Sequence, residues 1–377
     1  MKIPRVYDEL EKYLEPNKAL IIFGPRQVGK TTLVKDFLFR TAYKYRYENG
    51  DDVRVHEILG SQDIAKIREF SQGYELLVLD EAQRIPNIGM ALKIVVDNVP
   101  GIRVIATGSS SFELAGQVGE PLTGRKRTLS LFPISQMEMR SFLKNDFDMK
   151  RELEERLLYG SYPEVVTKAT KEAKREMAEE LAHSYLLKDV LKLEQVRGSK
   201  ILLDILRLLA FQIGNEVSLP EIAEKAGVDA KTVARYLDLF EKAFVLYNVR
   251  GFSRNLRSEI TRKSKYYFYD NGMRNAIISN FNSLSHRDDI GALWENFVFI
   301  ERLKKREYAH LSANVYFWRT WERQEVDIVE EREGELYGYE VKWSPEKGSK
   351  VPSQWRQAYE KASYETIHRE NFLDFVA

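Results

Sequence analysis

The chain has 377 residues and no cysteine, which excludes disulfides and cysteine-ligated zinc and predicts about two or three domains. It carries 58 Lys and Arg against 57 Asp and Glu, so any nucleic-acid partner has to be bound by a local patch and not by the net charge of +1. No segment reaches the about 18 apolar residues of a membrane span, and the N-terminus lacks the apolar core of a signal peptide. We therefore expect a cytoplasmic protein with no membrane partner.

A glycine-containing loop follows the first apolar run. The residues that match the phosphate-binding pattern are Gly24, Pro25, Arg26, Gln27, Val28, Gly29, Lys30, Thr31 and Thr32. Residues 19–23 predict a buried strand before the loop, and the spacing of residues 33–38 predicts a helix after it. Backbone N–H groups and the positive end of the helix dipole would then point at an anion. We expect Lys30 to reach the β- and γ-phosphates of a nucleotide and the Thr31 hydroxyl to ligate Mg²⁺.

Strands and helices alternate through the first part of the chain. In order, the predicted elements are helix 6–14, strand 19–23, the loop and its helix, strand 43–47, helix 53–70, strand 76–81, helix 88–95, strand 104–109 and strand 128–132. Such alternation predicts an α/β fold with a mostly parallel sheet and helices on both faces. The strand at 76–81 ends in Asp80 and Glu81, and the strand at 104–109 ends in polar residues.

Several short motifs follow one another in a specific order. They lie at residues 24–32, 79–83 (Leu-Asp-Glu-Ala-Gln), 107–110 (Thr-Gly-Ser-Ser), 122–125 (Leu-Thr-Gly-Arg), 131–135 (Leu-Phe-Pro-Ile-Ser) and 159–164 (Tyr-Gly-Ser-Tyr-Pro-Glu). This order resembles a large group of prokaryotic ATP-binding proteins that join an AAA-type P-loop domain to a C-terminal domain of unknown function. The resemblance covers nearly the whole chain. It implies ATP or ADP as the bound nucleotide and Mg²⁺ as the cofactor.

The resemblance also implies roles for the polar residues at the strand ends. Asp80 would orient Mg²⁺ through its water shell, and Glu81 would polarise the attacking water as a general base. Either Thr107 or Ser109, on the neighbouring strand, would sense the γ-phosphate. These groups are expected to meet at the carboxyl ends of the strands, where open α/β sheets bind their ligands.

An ATPase of this type needs an arginine to stabilise charge on the transferred phosphoryl group. The candidates are Arg26, Arg84, Arg125 and Arg127. We favour Arg125, which follows Gly124 just before a predicted strand and could act across a subunit boundary in a homo-oligomer. The alternative that all of these arginines lie on the surface without a catalytic role stays open.

The region after the first domain reads as helical and then as a winged helix. Residues 150–193 are rich in Glu, Lys, Arg and Leu and predict a lid or connector. Within residues 201–270 the pattern predicts helix 201–213, a helix that starts at Ser218 and ends near Gly227, helix 231–243, and wing strands 245–249 and 265–269.

This module has two possible uses. If it binds DNA, Lys231, Thr232 and Arg235 would face the major groove and a basic stretch would hold phosphates. The basic residues of that stretch are Arg250, Arg254, Arg257, Arg262, Lys263 and Lys265. The alternative is an interdomain or subunit contact with a solvated wing.

Four charged residues mark the C-terminal region. Glu295 lies on a predicted helix, and Asp327, Glu340 and Lys342 lie on two predicted strands joined by a turn at Gly334. Since alternate residues of a strand share a face, Glu340 and Lys342 point the same way and Asp327 can join them. This set resembles the restriction-endonuclease-like nuclease core. The resemblance implies that Glu295, Asp327 and Glu340 bind metal, with Glu340 and Lys342 taking part in phosphodiester cleavage; a non-catalytic binding platform is the alternative.

The sequence thus predicts four parts: an AAA-type ATPase domain (1–148), a helical connector (149–198), a winged helix (199–285) and a small α/β nuclease-like domain (286–377). The leading hypothesis is Mg²⁺-dependent ATP hydrolysis that drives or gates the later modules on DNA. One alternative is an ATP-dependent regulatory switch that works through protein contacts. The other is an ATP-gated, metal-dependent DNA endonuclease.

Overall fold

The computed structural model describes residues 2–108, 122–186, 199–253, 264–320, 322–346 and 350–377. These residues form two compact units, one made mainly of residues 4–133 and the other mainly of residues 134–241 and 245–377. None of the described helices has the length and apolar character to cross a bilayer. The division into four parts stays a prediction.

The first unit is built on a parallel sheet of five strands in the order β2-β3-β4-β1-β5. The strands are β1 (Lys18–Phe23), β2 (Tyr45–Asn49), β3 (Leu76–Asp80), β4 (Arg103–Gly108) and β5 (Lys126–Ser130). The helices are α1 (Lys30–Arg40), α2 (Val53–Leu59), α3 (Ile64–Ser71) and α4 (Ile88–Asn98). The predicted fold class is confirmed.

Burial explains the apolar runs of this sheet. Every residue of β3 is buried, and so is every residue of β1 after Lys18, as expected for parallel strands covered on both faces. Two local predictions were wrong. Residues 6–14 form only a 3₁₀ turn at Leu10–Tyr13, and the predicted helix 53–70 is two helices, because Asp63 caps a new helix start.

The second unit contains a mixed sheet of seven strands in the order β12-β11-β10-β9-β7-β8-β6. Its strands are β6 (Glu216–Val217), β7 (Leu246–Gly251), β8 (Ser264–Phe268), β9 (Asn314–Arg319), β10 (Glu325–Arg332), β11 (Glu335–Val341) and β12 (Ser363–Ile367). The antiparallel pair β7–β8 contains the strands predicted as a wing. Because β7 also pairs in parallel with β9, these strands and the C-terminal strands share one sheet.

Helices form much of the described remainder of the second unit. They are α5 (Gln136–Leu143), α6 (Asp146–Tyr159), α7 (Pro163–Thr167), α8 (Lys171–Glu180), α9 (Ser199–Phe211), α10 (Leu219–Ala226), α11 (Ala230–Lys242), α12 (Asn271–Ile277), α13 (Ile290–Tyr308), α14 (Ser353–Ala358) and α15 (Phe372–Val376). A π-helical turn follows α8 at Leu181–Leu186, and a 3₁₀ turn lies at Leu284–His286.

The motif at residues 159–164 forms a tight joint between α6 and α12. Gly160 has a φ of +82°, and a Cβ there would lie 2.0 Å from Oδ1 of Asp270. The N–H of Ser161 donates to Oδ2 of Asp270 at 2.6 Å. From the other side, a Cβ on Gly272 would lie 1.9 Å from the carbonyl oxygen of Tyr159. Packing therefore explains the glycine of the motif, since neither Gly160 nor Gly272 has room for a side chain.

We predict that Gly160→Ala lowers the free energy of unfolding by about 1–3 kcal/mol more than Gly334→Ala, because its methyl group would overlap the Asp270 carboxylate. Gly334 is the matched control, with a φ of +84° and no atom within 4 Å of the position that a Cβ would take. Both variants share the cost of a positive φ. Urea denaturation measures the difference, and equal destabilisation by the two substitutions would show that the joint is not tightly packed.

Candidate nucleotide site and C-terminal charge cluster

The glycines of the loop are required by its backbone. Gly24 follows β1 with a φ of +151°, and a Cβ there would lie 2.0 Å from the carbonyl oxygen of Leu131. Gly29 has a φ of +95° and directly precedes α1. A side chain at Gly24 would push the loop away from the segment after β5, so this position accepts only glycine.

Lys30 is folded into the loop. Its side chain is 5% exposed, and Nζ donates to the carbonyl oxygens of Gly24 at 2.8 Å and of Pro25 at 2.6 Å. These bonds compensate a buried ammonium group, which would otherwise be costly. They also hold the positive charge inside the loop that a phosphate would enter.

Asp80 receives hydroxyl groups from three other segments. Oδ2 accepts from Oγ1 of Thr31 at 2.8 Å and from the Tyr47 hydroxyl at 2.9 Å, and Oδ1 accepts from Oγ1 of Thr107 at 2.5 Å. Burial and the adjacent Asp80 charge raise the pKa of Tyr47, so its hydroxyl remains a donor. Asp80 itself is 3% exposed. Residues at the carboxyl ends of the strands and at the start of α1 thus all bond to one buried carboxylate.

Glu81 has an unusual backbone. Its φ is +53°, in the left-handed region, and its N–H donates to Oγ1 of Thr107 at 3.0 Å. Oε2 of Glu81 accepts from the side-chain amide of Gln83 at 2.7 Å. A Cβ on Gly50 would lie 2.2 Å from the Glu81 carbonyl oxygen, so the neighbouring turn is packed against this conformation. Such strained residues concentrate at functional sites.

The residues present fit a magnesium–nucleotide complex. A hydroxyl oxygen of Thr31 and a carboxylate oxygen of Asp80 already touch, and oxygen ligands of this kind suit Mg²⁺. The glycine loop, the buried Lys30 ammonium and the start of α1 lie beside them. Of the predicted γ-phosphate sensors, Thr107 is in this cluster, whereas Ser109 lies outside the described residues.

Arg125 lies at the amino ends of the strands, whereas the phosphate loop lies at their carboxyl ends. Its carbonyl accepts from the N–H of Ala19, at the amino end of β1, whereas the loop follows the carboxyl end of that strand. At about 3.3 Å per residue the two ends are about 15 Å apart. Nε of Arg125 donates to Oδ1 of Asp97 at 2.5 Å. Within its own chain Arg125 therefore does not reach the loop, and a catalytic role would require a second copy.

The other arginines are more varied in position. Arg84 forms an ion pair with Asp51, and the Arg127 guanidinium lies 4.7 Å from the centre of the Tyr13 ring.

Arg5 was missed by sequence reasoning. Its Nη1 donates to the carbonyl oxygen of Val28 at 2.5 Å and its Nη2 to that of Phe132 at 2.6 Å, which ties the loop to the segment after β5. No spacing pattern marks Arg5, because its partners are distant in sequence.

The C-terminal carboxylates lie in the second unit. The antiparallel register pairs Ile328 with Tyr339 and so sets Asp327 across from Glu340. Both side chains are buried, and Lys342 forms an ion pair with Glu340, as strand alternation predicts. Oδ2 of Asp327 accepts from the N–H of Val341 at 2.8 Å.

Glu295, on α13, completes this cluster together with two residues of β8. Its Oε1 accepts from the Tyr267 hydroxyl at 2.7 Å and from Nζ of Lys265 at 3.2 Å. Nζ of Lys265 also lies 4.0 Å from Oδ1 of Asp327. Lys265 is 2% exposed, so its assignment to a solvated basic stretch was wrong. Its side chain is buried within the second unit.

Charge and burial shift the titration of this cluster. Burial, followed by the charges of Glu295 and Glu340, raises the pKa of Asp327 well above its usual range. Burial lowers the pKa of Lys265, but the carboxylates of Glu295 and Asp327 outweigh it and raise the pKa above the ordinary value. Within the described ranges, no group of three or more His, Asp or Glu side chains is arranged to hold a metal ion. Metal binding by Glu295, Asp327 and Glu340 stays a prediction, and the observed arrangement of the three side chains does not fit a metal ion.

The helix predicted to face the DNA major groove is α11. Its exposed side chains include Lys231, Arg235 and Asp238, which lie on one face at helical spacing. Thr232 instead bonds to Asp229, whose side chain accepts from the Thr232 N–H at 2.8 Å and from its hydroxyl at 2.9 Å. Of the basic stretch, Arg254, Arg257, Arg262 and Lys263 lie outside the described residues.

Comparison with known families agrees with this architecture. A model described as an AAA domain matches residues 16–140, and models of two domains of unknown function match residues 150–284 (DUF8612) and 290–372 (DUF4143). Residues 16–140 therefore match an AAA domain, which indicates nucleotide-dependent activity of the P-loop type. More particularly, the chain joins that domain to the C-terminal domain DUF4143, and the resemblance inferred from the motifs is confirmed.

Its relatives include uncharacterized proteins from bacteria and an archaeon. One from Mycobacterium tuberculosis is 28% identical and aligns over 88% of this chain and 72% of its own. One from Methanocaldococcus jannaschii is 26% identical over 85% and 74%, and one from Haemophilus influenzae is 25% identical over 79% and 77%. Among solved structures, a chain of the Drosophila ORC bound to DNA matches 72% of this chain and 92% of its own, at 13% identity and a TM-score of only 0.23.

We predict that Tyr47→Phe lowers the free energy of unfolding by about 1–2 kcal/mol, because it removes a hydrogen bond to the buried Asp80 carboxylate. Tyr45→Phe is the control, since Tyr45 lies on the same strand and is 41% exposed. Chemical denaturation of both variants checks this. If Tyr47→Phe is as stable as Tyr45→Phe, the Tyr47 hydroxyl does not support Asp80.

Proposed function

We propose that this protein hydrolyses ATP in a Mg²⁺-dependent reaction at the loop of residues 24–32. The observation that supports this most is the direct contact of Thr31 and Asp80 beside the buried ammonium of Lys30. In P-loop enzymes the hydroxyl at the loop end and the carboxylate at the end of a buried strand hold the metal. The AAA domain that matches residues 16–140 supports the same activity.

Each residue of the site has a distinct task in this proposal. The loop N–H groups and Lys30 bind the phosphates, while Thr31 and Asp80 would hold Mg²⁺. When bound, Mg²⁺ would neutralise charge on the phosphate oxygens. Thr107 orients both Asp80 and the Glu81 N–H through its hydroxyl.

Glu81 is the general base of the proposal. It would take a proton from the attacking water, and the Gln83 amide holds its carboxylate in one orientation. The left-handed backbone conformation of Glu81 fixes the direction in which its side chain leaves the main chain, directly after Asp80.

We predict that Lys30→Ala lowers ATP turnover at least about 100-fold, because the developing phosphate charge loses its ammonium partner. Glu81→Gln should keep nucleotide affinity and lower turnover by a similar factor, because binding does not need the base. Phosphate release and binding of a fluorescent nucleotide measure the two effects. Lys66→Ala, an exposed lysine on α3, is the control. Undiminished turnover in Lys30→Ala would exclude the loop as the hydrolytic site.

Arg125→Ala separates a role in a second copy from a surface role. If Arg125 completes a neighbour's site in a homo-oligomer, the variant loses turnover but not nucleotide affinity. Mixing it with the Lys30→Ala variant then restores activity, because each copy supplies what the other lacks. Turnover equal to wild type would contradict the arginine assignment.

We further propose that the nucleotide cycle acts on DNA through residues 199–285 and the C-terminal module. Lys231 and Arg235 support this, since both are exposed on one face of α11. Asp238 on the same face opposes it. The alternative is a regulatory switch in which both later modules contact protein. An ATP-gated endonuclease, with Glu340 and Lys342 as catalytic residues, is the third hypothesis.

We predict that the double variant Lys231→Ala and Arg235→Ala binds duplex DNA more weakly and with a smaller salt dependence, by about one unit of slope for each phosphate that the variant no longer binds. Lys225→Ala on the neighbouring helix α10 is the control, because Lys225 is exposed and paired with Glu221. Fluorescence anisotropy at several salt concentrations measures both quantities. Unchanged affinity and slope would favour the regulatory switch.

A further inference from the structure

The carboxylates of the C-terminal cluster are already bonded to protein donors. Oε1 of Glu295 accepts from both Tyr267 and Lys265, at 2.7 Å and 3.2 Å. Oδ2 of Asp327 accepts from the N–H of Val341, and Oδ1 faces the Lys265 ammonium at 4.0 Å. A metal ion bound here would have to displace these donors.

The same is true of Glu340. Oε1 is paired with the Lys342 ammonium, and Oε2 accepts from the Tyr364 hydroxyl at 3.4 Å. Mg²⁺ and Mn²⁺ require several oxygen ligands in contact with one centre, at about 2.1 Å for Mg²⁺. To form such a centre, these carboxylates would have to give up the N–H, O–H and ammonium partners that they have now.

Lys265 is the buried cation of this arrangement. Its side chain is 2% exposed, and the ring of Phe317 lies 5.4 Å from Nζ on one side. A buried ammonium is stable only with opposite charges beside it, and Glu295 and Asp327 supply them. In turn, these two carboxylates have Lys265 as the positive charge between them.

We propose that the Lys265 ammonium takes the place of the divalent cation in this cluster. The C-terminal module then binds no Mg²⁺ or Mn²⁺ at Glu295, Asp327 and Glu340, and it cleaves no phosphodiester bond by a metal-dependent route. The ion pairs instead fasten β8 to α13 and β10, so that the wing strands and the C-terminal strands act as one body.

Mn²⁺ is the probe that tests this assignment on the full chain without nucleotide. Wild type should show no Mn²⁺ binding that depends on Asp327, so wild type and Asp327→Asn should give the same titration by electron paramagnetic resonance. Lys265→Met should gain about one Mn²⁺ site per chain, because it leaves Glu295 and Asp327 without the ammonium between them. Its lowered unfolding midpoint should rise again with Mn²⁺.

Two further variants make the result specific. Lys265→Met combined with Asp327→Asn should lose the gained site. Lys304→Met is the matched control, since Lys304 is equally buried and paired with Glu301 at 2.7 Å, and it should gain no Mn²⁺ site.

Three results would overturn the assignment. They are Asp327-dependent Mn²⁺ binding by wild type, DNA nicking by wild type with Mn²⁺ that Glu340→Gln abolishes, and a folded Lys265→Met variant that gains no site. The first two need only variants that retain Lys265, so they decide the matter even if Lys265→Met does not fold. None of these measurements depends on ATP hydrolysis.

Discussion

The buried carboxylate of Asp80 is the group on which the first unit depends. The strand order places β3 between β2 and β4, so Thr107 reaches Asp80 from one neighbouring strand and Tyr47 from the other. Thr31 adds a hydroxyl from the start of α1. Because these bonds offset the desolvation of a charged group, they fix the carboxyl edge of the sheet in one arrangement. That arrangement sets the oxygens that would hold Mg²⁺ side by side.

Local patterns predicted the loop and the acidic strand end, because each of these follows from spacing within one short segment, and the alternation of strands and helices predicted the parallel sheet. They did not predict Arg5 or Tyr47, whose partners lie 23 or more residues away in the chain. The end of the sheet at which Arg125 lies depends on strand direction and register. The sequence places Lys265 in a basic stretch, and only its position in the folded sheet shows that it is buried. Side-chain alternation did predict that Glu340 and Lys342 share a face, since that follows from strand geometry alone.

The second unit shows why similar charges can have different uses. At Asp80 the donors are hydroxyl groups, which place oxygen atoms and no positive charge next to the carboxylate. At Asp327 the neighbours are a backbone N–H and the ammonium of Lys265, which already balances charge. A hydroxyl can join a carboxylate as a metal ligand, whereas an ammonium repels a cation. The two clusters therefore differ in the partner they can accept.

A structure of the protein with a non-hydrolysable ATP analogue and Mg²⁺ is the most direct test of the nucleotide site. Phosphates are expected in the loop of residues 24–32. Nζ of Lys30 should have moved from the carbonyls of Gly24 and Pro25 to phosphate oxygens, with Mg²⁺ beside Thr31 and Asp80. An empty loop with Lys30 still bonded to those carbonyls, at nucleotide concentrations that support turnover, would contradict it.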